Sequence, residues 1–374
     1  MKVCLKDIVC RIKDVVDKAN TDLKYYVGGE HFETGEYRIH HKGIIQGSTI
    51  GPAFHMRFQP GDVLLMSRNP HLRKASMVDF SGICSDVSYV CRTKDEKKLL
   101  QSFIPILFQT DDFWSFATEN KKGSTNFFLN WSDFERYEFN LPPIEEQHKL
   151  AEMLWAAYDL KESYKRLLVA SDEMAKSQFI EMFGDPEDNP RKWCKLPLKD
   201  SVVRIENGKS PVCENFSRVG TNPAVLKLSS ISSGYFKATE NKALQDGVPF
   251  LSAYEVHAGD LLISRKNTLD LVGKACYVFE TPEFLQLPDL IFRLDLTHRI
   301  HGIFLCFLFN HPSFRPKIQA LAGGSAGSMP NISKSRLENL IILVPPIELQ
   351  NEFAAFIEQL DKSKVANYAL RAIS

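Results

Sequence analysis

The sequence predicts an α+β protein built twice: two tandem globular α/β units, each followed by a long helix, the helices packed as an antiparallel coiled coil and the halves related by an internal pseudo-two-fold repeat. Three observations carry that prediction. Leu141-Pro-Pro-Ile-Glu-Glu-Gln147 returns as Val344-Pro-Pro-Ile-Glu-Leu-Gln350, apolar residues behind the first copy recur in steps of three and four, and a Gly-Asp pair leads an apolar run once in each half.

The first unit covers residues 1–143. Its opening, Leu5-Lys-Asp-Ile-Val-Cys-Arg-Ile12, pairs with Leu198-Lys-Asp-Ser-Val-Val-Arg-Ile205 of the second unit. Gly61-Asp-Val-Leu-Leu-Met-Ser-Arg68 pairs with Gly259-Asp-Leu-Leu-Ile-Ser-Arg265, and a glycine turn feeding a run of aliphatic residues reads as a buried strand. Lys121-Lys-Gly-Ser-Thr-Asn126 is a loop of small and polar residues; Ala322-Gly-Gly-Ser-Ala-Gly-Ser328 stands at the same place in the second half. Equivalent loops in equivalent places suggest equivalent jobs.

The first helix is expected over 144–183. Pro142 and Pro143 suit its first turn, where a missing N–H costs nothing, and Glu145 and Glu146 sit where the helix dipole favours negative charge. Met153, Ala157, Leu160, Tyr164 and Leu167 form a seam that faces a partner helix. Gly184-Asp-Pro186 ends it, after a helix of about 35 residues, roughly 50 Å at 1.5 Å per residue. The second unit follows over 184–343, and the last helix, 344–374, offers Leu360 to the seam.

Of the 374 residues 44% are hydrophobic and 25% charged, the balance of a folded globular protein. The 46 basic residues equal the 46 acidic ones, so overall charge argues neither for nucleic acid nor for an acidic tail, although both large blocks are mildly basic. No stretch approaches the ~18 consecutive apolar residues of a membrane span, and the expected location is cytoplasmic. Eight scattered cysteines, without C-x-x-C or metal-ligand spacing, point to reduced thiols and no metal.

No catalytic constellation emerges. Asn69-Pro70-His71-Leu72 lacks the second proline and aromatic of an adenine methyltransferase motif, and Pro288-Asp289 lacks the rest of a nuclease motif. His298 and His301 lack a zinc-hydrolase frame, and neither glycine loop ends as a phosphate-cradling loop does. The expectation is a chain that catalyses nothing and holds no cofactor. Binding fits better. The candidates are Arg57, Arg68, Arg73, Lys74, Lys121, Lys122, Ser124 and Asn126 in the first unit and Arg265, Lys266, Lys274, Arg299, Ser328 and Asn331 in the second. Lys and Arg neutralise phosphates, while Arg and Asn also read purine edges through paired hydrogen bonds.

The two Pro-Pro-Ile-Glu-x-x-Gln starts, each opening a helix behind a block of similar size, together with Met182-Phe-Gly-Asp-Pro186, resemble the specificity subunits of type I restriction-modification systems. The resemblance spans the whole chain. It implies that the blocks are target-recognition domains, each reading one half of a split, asymmetric target in double-stranded DNA. It also implies that the helices are spacers docking methyltransferase subunits, with restriction and translocase subunits joining through the complex. Cofactor and catalysis would then belong to other chains. By position Glu145, Gln147, Glu348 and Gln350 match the family's helix starts, which gives them capping and docking roles. The alternatives are a protein-binding scaffold, a hidden enzyme centre, and a specificity subunit of a methylation-only complex.

Overall fold

A strand that is apolar on both faces has to be covered on both, and such a strand lies at the centre of each half of the chain. In the computed structural model, which describes residues 1–17, 20–323 and 329–371, with 363–371 as backbone alone, the chain divides into two compact units, Met1–Ser163 and Tyr164–Ser374. Val63–Met66 in the first and Leu261–Ser264 in the second are buried along their whole length. Each belongs to an antiparallel four-stranded sheet of the same order: Val9–Ile12, Ser88–Thr93, Val63–Met66, Ala75–Met77, and then Val202–Asn207, Ile291–Leu296, Leu261–Ser264, Ala275–Tyr277.

Alternation along the central strand divides each core in two. Val63 and Leu65 pack with Phe108, Phe113, Trp114 and Phe134 on the helical side. Leu64 and Met66 point the other way, toward Val27, Phe58 and Cys84 of a second sheet. In the second unit Leu261 and Ile263 join Phe304, Phe309 and Phe353, while Leu262 joins Ala224, Leu226 and Leu285. Each second sheet contains one parallel pair, Tyr25–Val27 with Gly82–Ser85 and Ala224–Leu226 with Leu285–Gln286.

Each unit closes by pairing its first strand with its last, Lys2–Cys4 with Glu138–Asn140 and Cys194–Pro197 with Ile341–Val344. The repeated Leu5 and Leu198 lock that closure. Both are fully buried, and their amides donate to Tyr137 and Leu340 carbonyls at 2.8 Å.

The first helix runs from Ile144 to Phe183, 40 residues or about 60 Å. Gly184, at φ +78°, ends it by turning its N–H back to the Ile180 carbonyl, in the left-handed conformation that glycine adopts at no steric cost. The last helix covers Ile347–Arg371. Within the second unit the two run antiparallel. Phe353 packs on Phe179 and Phe183, with centroids 5.6 and 5.4 Å apart, while Asp361, eight residues later, lies near the Tyr235 hydroxyl that bonds Asp172.

The expected seam requires correction. Met153, Leu160 and Leu167 are 63%, 60% and 46% exposed, and Ala157 is exposed as well; of those five only Tyr164 is buried. The buried stripe instead carries Ala151 and Tyr158 in the first unit and Ser171, Ala175, Phe179 and Phe183 in the second. At 100° per residue Ala151 and Tyr158 lie about 160° round the helix from Met153 and Leu160, whereas Ser171 and Ala175 continue the line of Tyr164. Steps of three and four fit either stripe. Amphipathic aromatics decide between them: Trp155 Nε1 donates to the Ser102 carbonyl at 2.9 Å, and the Tyr158 hydroxyl to Glu36 at 2.8 Å. Leu360 is partly buried against the Phe353 cluster.

Candidate nucleic-acid interface

The two glycine-containing loops hang from the ends of the two central strands by the same hydrogen bonds. In the first unit Leu129 N donates to the Ser67 carbonyl at 2.9 Å and Asn69 N to the Phe127 carbonyl at 2.8 Å. In the second, Ile332 N donates to the Arg265 carbonyl at 2.9 Å and Asn267 N to the Pro330 carbonyl at 3.2 Å. Each loop is also pinched at its base, by mutual bonds between Lys122 and Phe128 and between Gly323 and Asn331. A strand end, an arginine and the two flanks of a loop are thereby brought together twice.

The turn that leads into each central strand explains the repeated Gly-Asp. Gly61 and Gly259 take φ of +90° and +95°, which favours glycine. The following carboxylates accept the amides of Gln59 and His257 at 2.8 and 2.9 Å, and each also receives an arginine, Arg92 or Arg293. Desolvation raises the Asp260 carboxyl above its ordinary value, against the opposing pull of the His257 amide and Arg293.

The candidates of the first unit fall in three places. Arg68 and Lys122 both bridge the backbone of Phe128, and Ser124 and Asn126 are exposed on the loop between. Lys121 lies over the Phe127 ring at 4.3 Å, and Lys122 pairs with Asp133 at 2.7 Å. That bond holds Asp133 below the usual carboxylate range. Arg73, at φ +50°, pairs with Asp111 at 2.5 Å, and Lys74 Nζ donates to the Gly29 carbonyl at 2.7 Å. Arg57 lies apart on the strand Phe54–Phe58 of the second sheet, 3.7 Å from Asp14.

In the second unit Arg265 lies over Phe292 and donates to the Asp289 carbonyl at 3.3 Å, and Lys266 bridges Asn331. Asn331 does not present an amide oxygen for base reading as expected: its Oδ1 is enclosed and has no hydrogen-bond partner among the described residues. Lys274 stands across the hairpin from Ser264. Arg299 is exposed at the start of the last helix rather than at the loop. Ser328 lies outside the described residues.

The expected docking residues separate by exposure. Glu145 and Glu348 are exposed. Gln147 and Gln350 are fully buried and staple the helix starts, so they present nothing to a partner. Gln147 accepts the Leu100 amide and donates to the Lys98 and Pro142 carbonyls. Gln350 does the same with the His301 amide and the Arg299 and Pro345 carbonyls. Both glutamines use three hydrogen bonds in the same geometry, which a buried amide requires.

A family model, the type I restriction modification DNA specificity domain, matches residues 8–168 and again 190–369. The chain belongs to this family. The two matches coincide with the two halves of the repeat. A type I restriction enzyme EcoEI specificity subunit of Escherichia coli is 28% identical over 173 residues, 46% of this chain and 29% of that protein. A putative type I restriction enzyme MjaX specificity subunit of Methanocaldococcus jannaschii is 26% identical over 175 residues, 46% of this chain and 40% of that protein. The chain thus aligns with less than half the length of either relative. A crystallographic type I restriction-modification S subunit from M. genitalium matches all of this chain and 94% of its own, with a TM-score of 0.66 at 12% identity, and so shares the fold.

Sequence spacing misses one cluster altogether. Glu36, His40 and Glu162 bring three possible metal-ligand atoms within 4.8 Å of one another, across more than a hundred positions of sequence. The Tyr158 hydroxyl sits 2.9 Å from His40 Nε2 and donates to Glu36, and Lys161 donates to Glu36 at 2.8 Å. The group ties the first unit's own loop to its stretch of the long helix. All eight cysteines are free, and four of them are buried. No helix among the described residues is long and apolar enough to cross a membrane.

Proposed function

We propose that this chain is the DNA sequence-specificity subunit of a type I restriction-modification complex, reading a bipartite, asymmetric target with one unit per half-site and bringing methyltransferase and restriction subunits to it. The observation that carries the reading is the pair of loops hung identically beside Arg68 and Arg265 within a twice-matched specificity family. The chain itself supplies discrimination and no catalysis. The half-sites differ because the loops differ. Partners gripping phosphates supply much of the salt-dependent affinity of a chain with no net charge. The cytoplasm, where such complexes meet DNA, is the proposed location.

The exposed Met153 and Leu160, seven residues apart on the first unit's stretch of the helix, support docking of a partner helix, because a heptad is the period a second helix follows. Leu160→Asp is expected to leave the melting temperature of the chain within about 2 °C, as an exposed substitution does, while abolishing co-purification with the methyltransferase subunit. Expression of the pair followed by methylome sequencing tests the whole proposal. A new split adenine-methylation motif is the expected result; a stable complex without one overturns the reading in favour of a scaffold.

A further inference from the structure

Lys74 and Lys274 occupy the same position in the two units. Their carbonyls accept the amides of Met66 and Ser264, both at 2.9 Å, and each precedes the next strand of its sheet, Ala75–Met77 or Ala275–Tyr277. Their surroundings differ. In the first unit Lys74 Nζ is satisfied by the Gly29 carbonyl, and its neighbour Arg73 is paired with Asp111, the first residue of the helix Asp111–Glu119. In the second unit the helix Arg315–Gln319 begins with an arginine. Phe113 and Phe314 stack on Phe108 and Phe309 at the same spacing, so Arg315 stands where the first unit has Trp114.

Arg315 Nη2 donates to the carbonyls of Asp270 and Val272 at 3.1 and 2.8 Å, which places the guanidinium on the turn before Lys274. Its Nη1 is buried and without a hydrogen-bond partner among the described residues. Lys274 is half-buried, and no hydrogen bond or ion pair of its Nζ occurs among those residues. Its stem runs beneath the glycine turn at Gly234, where an added Cβ would lie 3.5 Å from its Cε. Burial, then the charges of Arg315 and Lys176, hold Lys274 below the ordinary lysine value, and burial lowers Arg315 too. The carboxylates nearby are occupied or distant in effect: Asp172 bonds the Tyr235 hydroxyl, and Asp270 acts on Arg315 from an exposed position.

We infer that Lys274 and Arg315 form an anion site that takes a backbone phosphate of the DNA on the second unit's reading face; the inference rests on the DNA-reading function proposed above. Lys274 and Arg315 have only the exposed Asp270 as a counter-charge, and a bound anion offsets the repulsion between them. Guanidinium and ammonium groups side by side suit a tetrahedral oxyanion, the first through a fork of donors and the second as a point charge. Phosphate of DNA is favoured by continuity. Gly273 N donates to the Ser264 carbonyl at 2.7 Å, so Lys274 lies across the hairpin from the strand end that holds Arg265. The first unit, with its cations neutralised at the same position, has no such site among its described residues.

Two measurements on the full chain test this. Inorganic sulfate is expected to raise the melting temperature of the wild type above that in sodium chloride of equal ionic strength, and Lys274→Gln to remove the increment. Absence of the increment in the wild type overturns the anion site whether or not the chain binds DNA. On DNA bearing the methylated motif, Lys274→Gln is expected to lower the slope of log Kobs against log salt by about one, with base preference unchanged. Loss of sulfate binding in Lys274→Gln with an unchanged DNA slope would overturn the phosphate assignment and give the site to an acidic segment of a partner. Arg315→Gln risks the fold because Arg315 holds two carbonyls, so Lys274→Gln, which leaves both of those bonds intact, decides.

Discussion

In the first unit nearly every candidate cation is engaged: Arg73 with Asp111, Lys122 with Asp133, Lys74 with a carbonyl, Lys121 with an aromatic face. In the second, Lys266, Lys274 and Arg299 have no carboxylate partner among the described residues. Beneath these surfaces the two units agree closely. Gln147 and Gln350 make the same three bonds, and Asp62 and Asp260 hold the same turn. The contrast follows from cost. Losing a buried, satisfied polar group costs about 1–3 kcal/mol, whereas a surface charge changes at within about 0.5 kcal/mol. A duplicated fold therefore keeps its buried hydrogen bonds and lets its outer charges diverge, as the proposed function would have it.

The largest expected effect separates the two arginines of these turns. Arg293 is only 9% exposed at its side chain and is held by Glu206 at 2.9 Å, Asp260 at 3.5 Å and the carbonyls of Ala253 and Glu255. Arg293→Met removes a buried cation from two acids and two carbonyls, leaving Glu206 with Arg204 and Asp260 with the His257 amide, and is expected to cost about 3–5 kcal/mol. Arg92→Met strands Asp62 alone, which keeps the Gln59 amide, and Arg92 is itself a third exposed; a loss of about 1–3 kcal/mol is expected. Urea unfolding measures both. Equal losses would erase the distinction between a buried ion network and a rim pair. Next in size, Gln147→Ala and Gln350→Ala should each cost about 1–3 kcal/mol and agree within about 0.5. A silent change at either position would break the equivalence of the two helix starts.

The duplication, the buried strands and the helix starts are legible because each rests on a local rule: a glycine turn, an aliphatic run, proline before acidic residues. The loops can be placed by their position in the repeat. In the first unit the seam escapes a sequence reading because two faces of one helix share the same period, and only tertiary contacts of Trp155 and Tyr158 choose between them. Gln147 and Gln350 are visible as repeated residues, yet their burial is not, since a glutamine behind two prolines and a glutamate reads as a surface residue. The pairings that set apart the cations, such as Arg73 with Asp111 and Lys122 with Asp133, depend on which elements meet. No spacing encodes them.

The charge contrast itself can be tested on DNA. Under the proposed function Lys266→Ala is expected to reduce the salt slope by about one, the effect of one lost phosphate contact. Lys122→Ala is expected to reduce it by less, because Asp133 already offsets that charge. Equal reductions in filter binding across a salt series would mean that Lys122 leaves Asp133 when DNA arrives, and that the units differ only in the free state.

The smallest effect lies in acid. Asp133 is held below its ordinary value of 3.8, first by the hydrogen bond from Lys122. A carboxylate with a lowered folded-state pKa stabilises the fold above its unfolded value and loses that contribution as pH falls through the folded value. The loss is therefore confined below about pH 4, and with Lys122 half exposed it should amount to about 1 kcal/mol or less. Amide exchange locates it. Phe128 and Leu129, whose N–H groups donate to the Lys122 and Ser67 carbonyls, should lose protection on acidification before Asn331 and Ile332, their counterparts bonded to Gly323 and Arg265. In Asp133→Asn the first pair should start less protected and show no such step. If both pairs lost protection together in the wild type, the acid response would belong to the frame the units share and not to the charges on which they differ.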